Sequence, residues 1–107
     1  MESFWVETRT DDQGRSVVVP HGDLDLATQR QLREEIQELL MAGRVNLVVD
    51  LDHTTFLDST ALGTLIGARR RAHALKGSLA LRCHRTQLLN VLRVTALDRV
   101  FTILEDE

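Results

Sequence analysis

The stretch from Leu47 to Leu62 reads LVVDLDHTTFLDSTAL, running from a strand signal through a turn to a helix start without a break. Leu47, Val48 and Val49 form a short apolar run of the kind found in strands covered on both faces, and Asp50 and Asp52 mark where the chain leaves the sheet. Phe56 and Leu57 are expected to anchor the connection. Asp58, Ser59 and Thr60 are short polar residues suited to capping, and Ala61, Leu62, Leu65 and Ile66 then recur at a spacing of three to four. The hydroxyls of this triplet are therefore expected at a helix N-terminus, close to the surface.

Upstream, Phe4, Val6 and Thr8 alternate with Trp5, Glu7 and Arg9, and Asp11-Asp12-Gln13-Gly14 has the composition of a turn. Arg15 to Val19 is a second, β-branched run that completes a hairpin, and Pro20 is expected to end it because it cannot donate to a ladder. His21, Gly22 and Asp23 lead out, and Leu24 to Leu26 lead into a helix. Thr28 and Gln31 stand in the capping-box relation, Leu32, Ile36, Leu39 and Leu40 form one apolar face, and Gly43 suits the left-handed residue that closes a helix.

Downstream, the second helix has apolar positions at Leu62, Leu65, Ile66, Ala72 and Leu75, with Gly77 expected to close it as Gly43 closes the first. Leu79, Leu81 and Cys83 alternate as a strand, Thr86 starts a third helix carrying Leu88, Leu89, Val91 and Leu92, and Val100 to Ile103 reads as a last short strand. This order predicts an α/β fold: a mixed, mostly parallel sheet with an N-terminal hairpin and helices packed against it.

At 107 residues the chain is expected to be one domain spanning positions 1–107. Its 43% hydrophobic and 27% charged residues exclude a mainly disordered chain. A net charge of -3 gives no electrostatic basis for a nucleic-acid partner, and the one local exception, Arg69-Arg70-Arg71, is expected to face solvent. No apolar run approaches the roughly 18 residues that cross a bilayer, and MESFWVETRTDD lacks the form of a signal peptide, so a cytoplasmic protein without a membrane partner is expected. The single cysteine, Cys83, can form neither a disulfide framework nor a metal cluster and reads as a small buried residue. There is no Gly-rich phosphate loop and no G-x-S-x-G elbow. His21, His53, His73 and His84 are scattered, so neither a cofactor nor catalysis is expected.

Two segments, Gly22-Asp23-Leu24-Asp25-Leu26-Ala27-Thr28 and Phe56-Leu57-Asp58-Ser59-Thr60-Ala61-Leu62-Gly63, together resemble the two signatures of the STAS domain. The likeness is to the stand-alone bacterial anti-sigma factor antagonists, in which the first segment reads G-E-L-D before a Ser or Thr and the second D-S-S/T-G-L-G. Val94-Thr95-Ala96-Leu97 looks like the family's I-T/S-G-L. Asp23 replaces the usual Glu, and Ala61 and Ala96 stand where the family favours Gly. Ala61 is expected to put a methyl group where a kinase or partner backbone would approach. The resemblance implies that Ser59 is phosphorylated by an anti-sigma factor serine kinase and dephosphorylated by a separate serine phosphatase. It further implies that Asp23, Asp25, Thr28, Asp58, Thr60, Leu62 and Gly63 lie with Ser59 on the partner-binding surface. A constitutive STAS adaptor in a transport or signalling complex is the alternative it leaves.

Overall fold

Side chains alternate along each strand, and here the alternation sorts one sheet into a face covered by helices and a face left open. The computed structural model describes residues 3–105. In chain order the elements are β1 (Trp5–Thr10), β2 (Ser16–Leu24), α1 (Gln29–Met41), β3 (Asn46–Asp50), β4 (Thr54–Leu57), α2 (Ser59–Ala74), β5 (Ser78–Arg82), α3 (Thr86–Val94), a 3-10 turn (Leu97–Arg99) and β6 (Ile103–Leu104). The strands lie in the order β1-β2-β3-β5-β6, with β4 pairing to β2 off that path. Among the described residues β1 and β2 pair antiparallel and the other pairings are parallel. The predicted mixed sheet with an opening hairpin is therefore what forms.

Val18, Leu47, Val49, Leu79 and Leu81 point to the helices and meet Leu32 and Ile36 of α1, Leu65 and Ala68 of α2, and Leu88 and Leu92 of α3, all nearly inaccessible. Val17, Val19 and Val48 point the other way. They are nonetheless fully buried. On that open face Asp50, 5% exposed, draws in Arg9 at 3.5 Å from β1 and Arg82 at 3.6 Å from β5. The aliphatic stems of such arginines can cover apolar surface while their head groups stay polar.

Several expectations give way to the structure. β2 runs through Pro20 to Leu24 because the strand changes partners there: Ser16 to Val18 pair with β3, whereas Gly22 to Leu24 pair with β4. The Pro20 carbonyl meanwhile accepts from Thr54 Oγ1 at 3.2 Å. Thr54–Leu57, expected as a connection, is the strand β4, and Phe56 within it is 51% exposed rather than an anchor. The last strand is confined to Ile103–Leu104, since the 3-10 turn precedes it and Phe101 is drawn into the core.

Gly43 closes α1 at φ +82°, with Arg44 N–H donating to the Leu39 carbonyl and Gly43 N–H to that of Leu40. In α2 the left-handed position falls instead on Lys76, φ +65°. Gly77 is needed for another reason: a Cβ there would lie 2.0 Å from the Val45 carbonyl oxygen.

Candidate functional site

Both signature segments converge at one end of the sheet, and Asp58 is the residue that joins them. It is the N-cap of α2, accepting from Ala61 N–H at 2.9 Å through Oδ1, while its Oδ2 accepts from Leu26 N–H at 3.1 Å. One half-buried carboxylate thereby ties the turn after β2 to the first turn of α2. The parallel pairing of Leu24 with Leu57 fixes the register of the two approaches.

The turn after β2 is organised by Asp25. Its Oδ1 accepts from Ala27 N–H at 3.0 Å and Thr28 N–H at 3.2 Å, and its carbonyl accepts from Gln29 N–H at 2.8 Å. Thr28 does not make the expected capping box: its hydroxyl donates to the Asp23 carbonyl at 2.7 Å and makes no cap bond to α1. The hydroxyl is turned back into the loop, where it also accepts from Asp25 N–H at 2.9 Å, and Thr28 N–H, which Gln31 would serve in a capping box, is held by Asp25 Oδ1. Asp23, exposed on β2, accepts from Thr55 Oγ1 at 2.6 Å and so fastens β4 to β2.

Ser59 is the first residue of the 16-residue α2, and it is exposed. Its hydroxyl has no hydrogen-bond partner among the described residues. The position suits an anion, because the first N–H groups of a helix lack internal acceptors and carry the positive end of its dipole. Thr60 is half-buried and Gly63 exposed, with open space around its Cα. Leu62 is only 8% exposed and packs in the core, so it supports the surface without forming it. Ala61 is fully buried. The methyl group that replaces the family's glycine hydrogen lies in the core.

Two apolar residues that the sequence placed in the helix entry and the connection are exposed beside this site. Leu26, 72% exposed, follows Asp25 directly, and Phe56 of β4 lies two residues before Asp58. The available signal was Leu26 itself, an apolar residue in a turn with no periodic partner.

The histidines are less scattered than expected, though none of them serves Ser59. His21 stacks between Trp5, ring centroids 3.8 Å apart, and His53 at 4.7 Å, and its Nε2 lies 3.0 Å from Glu7. His84 Nδ1 meets Asp52 Oδ2 at 2.6 Å, while His84 N–H donates to Asp52 Oδ1 at 2.7 Å. This hydrogen bond raises the His84 pKa. Burial pushes Asp52 upward, but the bonds from His84 outweigh it and hold the carboxylate below its usual range. Burial raises the thiol of Cys83, which is inaccessible as expected. Among the described residues no group of three His, Cys, Asp or Glu side chains could hold a metal ion, and no helix is long and apolar enough to cross a membrane.

Comparison with known proteins points the same way as the geometry. The sequence model of the family described as Mlab, STAS domain matches residues 8–105. An anti-sigma-B factor antagonist of Staphylococcus aureus (strain NCTC 8325 / PS 47) is 34% identical over 62 residues, covering 58% of this chain and 56% of the relative. The chain thus spans little more than half the length of the curated relatives it matches. The crystal structure of an anti-sigma factor antagonist from Mycobacterium paratuberculosis superposes with a TM-score of 0.83 at 25% identity, covering 94% of this chain and 85% of that one. The phosphorylated form of the Bacillus cell fate determinant SpoIIAA gives a TM-score of 0.69 at 21% identity, covering 97% and 93%, a likeness of fold.

Proposed function

The chain belongs to the STAS domain family, and on that premise we propose that it is an anti-sigma factor antagonist switched by phosphorylation of Ser59. Unmodified, it binds an anti-sigma factor serine kinase in the cytoplasm and frees the sigma factor. Phosphorylated, it does not bind, and a serine phosphatase restores it. In this reading the protein is substrate and regulator, not catalyst. The observation that carries it is the exposed Ser59 hydroxyl, unengaged at the first position of α2. Two further features support it: Asp58 is already committed to Ala61 and Leu26, and Leu26 and Phe56 stand exposed nearby. Its likeness to the anti-sigma factor antagonists of Staphylococcus and Mycobacterium supports this role.

A phosphate would add about -1.5 to -2 charges and three acceptor oxygens. At a helix start these are tolerated by the fold. On a docking surface that already carries Asp58, Asp25 and Asp23, a dianion repels acidic partner groups and must be desolvated. An added cost of about 2.7 kcal/mol would weaken binding roughly 100-fold. The test is incubation with the anti-sigma kinase and ATP, mass spectrometry, and titration of both forms against that kinase. One phosphate on Ser59 with about a 100-fold loss of affinity is expected. No phosphate on Ser59 together with intact docking would establish a constitutive adaptor instead.

A further inference from the structure

Beside the first turn of α2 a groove of about 310 Å³ opens between α1 and α2, lined by Gln29, Arg33, Thr60, Gly63, Thr64 and Arg71, with Gly67 in its wall. Thr64 Oγ1 donates to Gln29 Oε1 at 2.7 Å across it and holds the helices in place. Arg71 does not face solvent as the Arg69-Arg70-Arg71 run suggested. Its guanidinium lies back along α2, where a Cβ on Gly67 would stand 3.4 Å from Nη1. Its Nε and Nη2 are shielded from solvent and have no acceptor among the described residues. Arg33 likewise has no carboxylate within ion-pair distance among the described residues.

Shielded guanidinium donors without acceptors are under-satisfied, and the planar fork they form matches a carboxylate in two parallel hydrogen bonds. The chain as a whole is acidic, at -3. An acidic segment therefore meets net repulsion from the chain as a whole and a local attraction here. Thr60 places this groove next to Ser59, so one partner could engage both.

We propose that this α1–α2 groove is an acceptor for a carboxylate on an acidic segment of the partner that docks at Ser59, with Arg71 as the anchor and Arg33 at the rim. The inference rests on the docking role proposed above but not on phosphorylation. It is tested with unmodified, isotopically labelled protein, titrating a hexaglutamate peptide and separately inorganic phosphate while following the arginine Nε–H signals. Saturable shifts at Arg71 and Arg33 with hexaglutamate are expected, weakened about tenfold by Arg71→Gln and not restored by Arg71→Lys, which keeps charge but loses the fork. Arg33→Gln gives the same readout with about a threefold effect should Arg71→Gln prove unfolded in urea titration. Shifts spread equally over Arg30 and Arg70 would overturn the proposal, as would full rescue by Arg71→Lys. Tighter saturation of the same signals by phosphate would overturn the carboxylate assignment. None of these results depends on Ser59 being modified, so the switch stands or falls separately.

Discussion

Asp58 answers to two backbone donors at once, Ala61 N–H in its own helix and Leu26 N–H in the neighbouring turn. Asp58→Ala removes the cap and orphans the Leu26 donor, and should lower unfolding free energy by about 2 kcal/mol in urea titration. Ser59→Ala, one residue on, removes a hydroxyl without a partner and should stay within about 0.5 kcal/mol of wild type. The Asp58-Ser59-Thr60 triplet was legible because short polar residues before a periodic run have few other uses. Thr28 was misread because the capping-box spacing with Gln31 is satisfied on paper, while in the fold Asp25 N–H takes the Thr28 hydroxyl and Asp25 Oδ1 takes the Thr28 N–H. The His84–Asp52 pair gives this scale a pH signature. With its folded pKa raised, His84 contributes stability fully below its unfolded value, about 6.5, and loses it as pH rises through the higher folded value. Asp52, lowered, contributes above its unfolded value, about 3.9, and loses it as pH falls through the lower folded one. The pair therefore stabilises most between these two values. Urea midpoints at pH 6 and pH 8 should show wild type losing more stability across that interval than His84→Gln; equal losses would exclude the pair as the source.

At the scale of elements, the end of α2 shows how a glycine can be recognised and its purpose mistaken. Gly77 was expected to supply the left-handed residue, but Lys76 takes φ +65° and Gly77 lets the Val45 backbone come close. The two demands separate by mutation. Gly77→Ala forces a methyl group against a carbonyl 2.0 Å away and should cost about 3 kcal/mol, since main chain must shift. Lys76→Gly relieves a left-handed L-residue and should stabilise by about 0.5 kcal/mol after the greater freedom of the unfolded chain is counted. Thermal midpoints moving in opposite directions would confirm the division of labour. Ala96, at φ +61°, shows in turn why the resembling proteins favour glycine there. β4 was missed because four residues with both ends buried and both middle residues exposed carry no alternation, and its partner is the part of β2 beyond Pro20. The long elements were legible since Leu32, Ile36 and Leu40 mark a helix face whatever lies against it.

The molecule as a whole keeps two electrostatic systems apart. Helices cover one face of the sheet, and the turns bearing Asp25, Asp58 and Ser59 gather at the end where β2 and β4 lead into them. The open face carries the Asp50, Arg9 and Arg82 cluster, with Arg82 itself 8% exposed. Asp50→Ala breaks a largely buried ion pair and removes the acceptor of Asp52 N–H at 2.9 Å, together an effect of about 3 kcal/mol. Asp50→Ala should therefore lower unfolding free energy by about that amount. It alters no group of the turn that presents Ser59, so at a temperature where the variant remains folded its phosphorylation rate and affinity for the anti-sigma kinase should match wild type. Ser59→Glu should do the reverse, leaving the urea midpoint nearly unchanged while docking weakens. Measured together, the two variants test whether this fold separates what stabilises it from what switches it. If Asp50→Ala slowed phosphorylation while still folded, the open face would have to be energetically coupled to the Ser59 turn through β2 and β3, and the separation argued from the geometry would fail.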